Sequence, residues 1–272
     1  MTRIAVLQMT SGIDPATNLA TIATAARKAA TGGATMLFTP EMCLALDRDR
    51  ARLSAKLGGP SEDGWIVRLA DIAREQGLWL AVGSIPVALP DAKFANRSLL
   101  FDGEGRLRQT YDKIHMFDVD LAEGESWRES NGYAAGSRMA VAEETPAGRL
   151  GLAVCYDIRF PALFDALGRA RCDCISIPAA FTVPTGRAHW HTLVRARAIE
   201  ASAYVVAAAQ VGRHEDGRET YGHSLVVDPW GKLLLDLGGS GTELGFADIE
   251  AERIAEARRQ LPSLANRRAI AT

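Results

Sequence analysis

An Asp-Pro pair at 14–15 and a Gly-Gly pair at 32–33 bracket one Ala-rich segment, and that bracket restricts the fold of this chain sharply. Asp14 suits a helix N-cap and Pro15 the first helical position, where a missing N–H costs nothing. Gly32-Gly33 suits the stop, because glycine tolerates the left-handed turn that ends many helices. The predicted helix therefore runs to Ala30. Residues 3–9 before it and 34–38 after it are apolar and of strand type. A second predicted helix, 62–76, is stopped by Gly77 and leads to a third strand, Leu78–Ser84. Strand, helix, strand, helix, strand requires crossovers that lay helices on a sheet, so the chain is of the α/β class.

The pattern then changes to hairpins. Residues 95–101 and 106–112 flank Asp102-Gly103-Glu104-Gly105, a strong turn signal. Residues 138–144 and 149–154 repeat the arrangement around Pro146-Ala147-Gly148, and 222–228 and 231–237 do so around Pro229-Trp230-Gly231. The expected sheet is therefore mixed. Helices are expected at 161–170 and 187–202, with a buried strand, 173–178, between them. The long polar loop 114–137 reads as functional or disordered, as such loops in compact domains usually are. No linker or low-complexity segment interrupts the chain. One domain over 1–272 is expected, with a core of about 3–250 and a tail, 251–272, that begins as a short helix.

Composition narrows the partners. Of 272 residues 47% are apolar, enough for a sizeable core. A net charge of −2, with Lys and Arg scattered, argues against a nucleic-acid or anionic-membrane partner. No apolar run approaches the ~20 residues that span a bilayer. Met1 to Leu7 enters a strand without a signal-peptide layout, so a cytoplasmic location is expected. Cys43, Cys155, Cys172 and Cys174 match no zinc or disulfide spacing, and a reducing compartment suits them. Cys172 and Cys174 alternate in a strand-like segment, which sends one of them to the core.

Gly151 to Pro161 begins as a buried strand and ends at a proline fit for a helix start. Cys155 sits at the junction, on the sheet edge where α/β folds place ligands. Free N–H groups at the following helix would favour an anion and lower the thiol pKa. The alternative is a small, inert, buried thiol. Glu41 and Lys113 also end predicted strands, and strand ends on one edge converge in space. Each has a plain alternative: Glu41 as a helix cap, Lys113 as a surface charge paired with Asp112. Taken together the three have a chemical logic. A thiol needs a base, and a carboxylate beside it can take the proton. Attack on an amide carbon creates an oxyanion, which a lysine ammonium and the Tyr156 backbone N–H can hold.

Thr39-Pro40-Glu41, Tyr111-Asp112-Lys113-Ile114-His115-Met116-Phe117 and the Cys155 stretch resemble, in order and separation, the three catalytic motifs of the nitrilase (carbon–nitrogen hydrolase) superfamily. The resemblance runs from Ile4 to about Ile249. It implies Glu41 as general base, Lys113 as oxyanion stabiliser and Cys155 as nucleophile. It also implies a second glutamate after the lysine, best matched by Glu129, which would position Lys113 or the substrate; Glu123 and Glu125 read as solvated loop residues. The fold it implies is a four-layer α-β-β-α sandwich with mixed sheets, usually dimerised, so a homodimer or higher homo-oligomer is expected.

Further strings are similar to the deaminated glutathione amidase branch of that superfamily: Ile177 to Gly186, Ala188-His189-Trp190-His191, Arg195 to Glu200, and Tyr221-Gly222-His223-Ser224. The neighbouring ω-amidases usually lack the His-Trp-His string. The resemblance implies a small amide substrate carrying carboxylates, hydrolysed without a cofactor. Its alternatives are α-ketoglutaramate, an N-carbamoyl amine or a nitrile, and, in another class, a binding protein that has lost catalysis. Arg159 can grip a substrate carboxylate or pair internally with Asp157 or Asp165. Phe181 and Thr182 can line the pocket, with core packing the rival for Phe181. No metal is expected, since His189 and His191 lie two apart on a helix and face different ways. For both, packing or helix capping is expected. His115 reads as a structural hydrogen bonder, and Arg195, Arg197 and Glu200 as an ion-pair lattice.

Overall fold

The computed structural model describes residues 1–58, 64–91, 93–120 and 126–268. Glu123, Glu125 and the first two residues of the helix expected from 62 lie outside them. The first half is strand β1 (Thr2–Gln8), helix α1 (Pro15–Thr31), β2 (Met36–Phe38), α2 (Arg50–Leu57), α3 (Gly64–Gln76), β3 (Trp79–Ala88), β4 (Phe94–Phe101) and β5 (Leu107–Asp112). Asp14 caps α1 as the sequence implies, accepting the Thr17 N–H at 3.1 Å. Asp49 caps the unforeseen α2 in the same way, through the Arg52 N–H at 3.0 Å.

Short strands β6 (Asp118–Asp120), β7 (Ser126–Arg128) and β8 (Tyr133–Ala134) follow, with a 3-10 turn at Glu129–Asn131. The expected structureless loop 114–137 thus contains a small hairpin. Then come β9 (Ala140–Thr145), β10 (Gly148–Leu152), a 3-10 turn at Cys155–Arg159, α4 (Pro161–Arg169), β11 (Cys174–Ser176) and α5 (Val183–Ala201). The chain continues through β12 (Tyr204–Ala207), β13 (Val211–Arg213), β14 (Glu219–Tyr221), β15 (Leu225–Val227), β16 (Leu233–Asp236), β17 (Glu243–Ile249) and α6 (Ala251–Gln260). Helix α5 begins at 183 rather than 187 because Pro184 takes its first turn. The sequence reading assigns no strand to 203–221 or 243–249, where β12, β13, β14 and β17 form. These segments are short or Ala-rich and are defined by their pairing partners.

Two sheets stack between helices. The first has the order β17-β1-β2-β3-β4-β5, with β8 also beside β4; the second has the order β16-β15-β12-β11-β10-β9. Strand alternation sorts the side chains. Ile4, Val6, Met36, Phe38 and Ala81 pack in the core shared with the second sheet. Ala5, Leu7, Leu37, Leu80 and Val82 pack instead with Leu19, Ile22, Leu69 and Ile72 of α1 and α3. Helices α4 and α5 pack together, and α5 covers β12 and β15. The architecture is the four-layer α-β-β-α sandwich with mixed sheets. Cys172 and Cys174 are both fully buried, not one of the pair, because Cys172 precedes β11 instead of alternating within it. Among the described residues no helix is long and apolar enough to cross a membrane.

One close approach brings the two sheets together beside Glu41 and Cys155. At the β3 irregularity between Val82 and Ile85, a Cβ on Gly83 would stand 2.0 Å from the Thr39 carbonyl oxygen and 2.5 Å from Pro178 Cβ. Thr39 precedes Glu41 in the first sheet. Pro178 follows β11 in the second, and its carbonyl accepts the Cys155 N–H at 2.8 Å.

Candidate active site

Three side chains leave three strand ends and meet. Glu41 follows β2, Lys113 follows β5, and Cys155 lies three residues beyond the end of β10. Cys155 has φ +48°, a left-handed conformation rare outside glycine, at the abrupt junction of strand and turn. The Glu41 backbone is held from the far side of the chain, its carbonyl accepting Gln210 Nε2 at 2.9 Å.

Lys113 Nζ, buried, lies 3.1 Å from Glu41 Oε1 and 3.0 and 2.8 Å from the two oxygens of Glu129. Asn96 Nδ2 donates to both carboxylates, at 2.9 Å to Glu41 and 3.1 Å to Glu129. Glu41 Oε2 accepts the Ala180 N–H at 2.9 Å, and Glu129 Oε2 accepts the Phe117 N–H at 2.7 Å. One ammonium thus bridges two carboxylates, and an amide fixes their spacing.

The electrostatics follow from burial and these partners. Burial alone would raise the Glu41 carboxyl, but the Lys113 charge and hydrogen bonds from Cys155, Asn96 and Lys113 outweigh it and hold the group below 4.5. Burial would lower Lys113, but Glu129 and Glu41 overcome it and keep the ammonium charged. Cys155 goes the opposite way from the sequence reading. Burial and then the Glu41 charge raise its thiol well above the ordinary value, against the weaker pull of Lys113. The Cys155 N–H itself is spent on the Pro178 carbonyl. The site therefore holds a protonated thiol against an ionised carboxylate, an arrangement in which the acid can pass its proton directly to the base.

Asp157 ties the lysine segment to the cysteine turn. Its fully buried carboxylate accepts the Tyr111 hydroxyl at 2.7 Å, the Val154 N–H at 2.9 Å and the His115 N–H at 3.0 Å. His115 Nδ1 lies 2.7 Å away, and the ring stacks on Phe160 at 3.6 Å, so His115 is a structural hydrogen bonder as expected. Arg197 holds the same turn, donating from Nε to the Ile158 carbonyl at 2.8 Å. The expected lattice on α5 reduces to the Arg197–Glu200 pair, since Arg195 donates to the Gly231 carbonyl instead.

A cavity of about 370 Å³ opens on this centre, and Glu41, Lys113, Glu129 and Cys155 line it together with Tyr156, Arg159, Phe181 and Thr182. The structure thus brings every expected site residue to one place. Phe181 also packs on Trp190 at 4.6 Å, so its core role and its wall role coexist. Arg159 makes neither internal pair considered above. Among the described residues its guanidinium contacts His189 Nδ1 at 3.3 Å and lies 5.5 Å from the Phe181 ring and 5.9 Å from that of Tyr156. Asp157 and Asp165 are engaged elsewhere. The far wall includes Met42, Tyr133, Trp127 and Arg48, whose guanidinium sits 4.4 Å above the Trp127 ring.

Sequence reasoning missed Asn96, Asp157, Tyr111 and Arg48. The signal for Asn96 is faint but present, a carboxamide near the start of a strand, Phe94–Phe101, that is buried at every position but Arg97. A polar group there needs partners, and its partners are the site.

Comparison with known proteins places the chain. The carbon–nitrogen hydrolase family profile matches residues 3–259. A deaminated glutathione amidase of Yersinia enterocolitica is 40% identical over 99% of this chain and 94% of its own length. A human protein of the same name is 41% identical over 97% of this chain and 82% of its own. Among solved structures, Saccharomyces cerevisiae Nit3, a member of branch 10 of the nitrilase superfamily, superposes with a TM-score of 0.84 at 28% identity, covering 96% of this chain and 94% of that one. The Caenorhabditis elegans NitFhit protein gives 0.89 at 36% identity over 98% of this chain, which spans 65% of that longer protein.

Proposed function

The chain belongs to the carbon–nitrogen hydrolase family, and from that premise we propose that Glu41, Lys113 and Cys155 carry its hydrolysis of an amide C–N bond. Glu41 takes the thiol proton as the Cys155 sulfur attacks the amide carbon. The carbonyl electron pair moves onto oxygen, where Lys113 Nζ and the Tyr156 N–H receive it. Tyr156 is the second residue of the 3-10 turn, a position whose N–H has no partner within the turn. Glu41 returns the proton to the leaving amine as the C–N bond breaks, leaving a thioester on Cys155. Water, deprotonated by Glu41, then attacks the thioester and releases the acid and the free thiol. Glu129 is a positioning residue: its two oxygens hold Lys113 Nζ at 3.0 and 2.8 Å.

The observation that carries this reading is the shared carboxylate. Glu41 meets the Lys113 ammonium at 3.1 Å through one oxygen, and both line one cavity together with Cys155. The substrate we assign is deaminated glutathione, after the relatives that carry that name. It has two carboxylates and an α-keto group, and Arg159 and Arg48 give the cavity walls cations to meet them. The test is incubation with deaminated glutathione, α-ketoglutaramate, a carbamoyl amine and a nitrile. Amine release and the intact mass of the acyl-enzyme are read in parallel. Preferred turnover of deaminated glutathione with an adduct on Cys155 supports the reading. Faster turnover of α-ketoglutaramate would reassign the substrate, and an adduct on another residue would overturn the nucleophile.

Exposed Ile199, Trp230, Leu233 and Leu234 lie on α5, the β15–β16 turn and β16, an apolar area that a second copy of this chain could cover. It supports a homodimer, testable by sedimentation. Four unpaired thiols suit a reducing, cytoplasmic setting.

A further inference from the structure

His191 on α5, His223 just before β15 and Asp236 at the end of β16 converge at a place that does not line the cavity of Cys155. We propose that His191 Nε2, His223 Nδ1 and one oxygen of Asp236 form a three-ligand site for a divalent ion of the zinc type.

The three ligand atoms lie within 4.8 Å of one another. His191 Nε2 is 3.0 Å from Asp236 Oδ2, and His223 Nδ1 is 3.2 Å from the same oxygen. Tetrahedral zinc with bonds of about 2.0–2.2 Å separates its ligands by roughly 3.3–3.5 Å. The two imidazole–carboxylate edges therefore need to open by only a few tenths of an ångström, and the edge between the imidazoles lies within 4.8 Å. Two imidazoles and a carboxylate are a common zinc donor set. Side-chain exposures of 35% for His191, 23% for His223 and 27% for Asp236 leave the outer side open for a water as fourth ligand.

The supporting groups hold the ligands in place. Asp236 Oδ1 accepts the Gly238 N–H at 2.8 Å and also lies 2.9 Å from His223 Nδ1, while Oδ2 is the oxygen within reach of both rings. Tyr221 stacks on His223 with centroids 4.4 Å apart and meets His191 edge-on at 6.2 Å. His223 adopts φ +54°, a strained conformation for a non-glycine residue and one that concentrates at functional sites. Such packing and outer hydrogen bonds orient metal ligands in known sites. As the rings stand, each donates its N–H to Asp236, so His191 carries its proton on Nε2 and His223 on Nδ1. Metal binding at these two nitrogens leaves each neutral ring with its proton on the other nitrogen. The ion would then join α5 to the edge hairpin of the second sheet. The pair of histidines judged from sequence, His189 and His191, is the wrong pair. The partners of His191 come from 32 and 45 residues further on, which helical spacing cannot reveal.

The experiment uses the full-length Cys155→Ala protein, so that the nucleophilic thiol does not bind metal, stripped with chelator and titrated with ZnCl2 by calorimetry. One equivalent is expected per chain, with affinity lower by at least roughly tenfold in both His191→Ala and Asp236→Asn. Co2+ serves as the second probe. The parent should show the intense visible bands of four-coordinate Co2+, and Zn2+ should bleach them. Thermal melts verify that the variants fold, and His191→Ala, at a half-buried helix position, carries the test should Asp236→Asn not fold. Absence of a stoichiometric zinc isotherm, zinc binding unchanged in both variants, or the pale spectrum of six-coordinate Co2+ would each overturn the site.

Discussion

Tyr111 donates its hydroxyl to the buried Asp157 carboxylate at 2.7 Å, joining the strand that leads to Lys113 to the turn that begins at Cys155. The phenol is correspondingly raised, first by burial and then by the Asp157 charge, so it stays protonated and donating. Tyr111→Phe removes one of the donors to a buried carboxylate. A loss of about 1–3 kcal/mol is expected in urea unfolding. Turnover should fall through kcat more than KM, because Lys113 and Cys155 lose register while the pocket walls remain. An unchanged unfolding midpoint would show that the tie is not structural.

Cys155→Ala should abolish amine release while the protein still melts cooperatively. Iodoacetamide should label Cys155 in preference to the other thiols. Cys155 lines the cavity beside Glu41, which can take its proton, whereas Cys43, Cys172 and Cys174 are fully buried and do not line it. Peptide mapping after brief alkylation reads the result. Labelling of Cys43 first would contradict the assigned nucleophile.

Glu41→Gln keeps the shape and removes the proton acceptor. A fall of roughly 10²–10⁴-fold in kcat is the usual size of such an effect. Proton transfer from a raised thiol to a lowered carboxylate also sets the pH profile. The acid limb requires protonating Glu41, whose pKa lies below 4.5, and the alkaline limb requires ionising Cys155, above 9.0. A plateau of kcat/KM between those values is expected. A limb centred near neutrality would point to a different base. The same depressed carboxyl contributes stability that is present above its unfolded pKa and lost as pH falls through its folded one.

Asn96→Ala leaves Glu41 and Glu129 each short of a donor. The expected cost is about 1–3 kcal/mol of stability with a parallel loss of kcat. Glu129→Gln should lower kcat with little effect on KM, since Lys113 keeps Glu41 but loses the carboxylate that holds it. Steady-state kinetics on both variants decide this. A KM effect alone would make Glu129 a substrate contact instead of a positioning residue.

Gly83→Ala should express poorly or melt several degrees lower. Its methyl would collide with the Thr39 carbonyl at 2.0 Å and Pro178 at 2.5 Å, forcing the two sheets apart under Glu41 and Cys155. A variant with parental stability and activity would show that this approach is not needed.

Local signals in the sequence were enough for the α/β class, for helix α1 with its Asp14 cap, and for the strand ends bearing Glu41, Lys113 and Cys155. Caps, glycine stops and apolar alternation act over a few residues, so they are legible in one dimension. Short elements defined by distant pairing were not, such as β17 lying antiparallel to β1. Nor was the protonation of Cys155, which depends on a carboxylate from another strand and on burial between two sheets. Asn96, Tyr111 and Asp157 look unremarkable alone and become a scaffold only when the chain brings their partners across 33, 46 and 42 residues. Electrostatics and hydrogen bonding depend on distance in space, and only packing of the two sheets sets those distances.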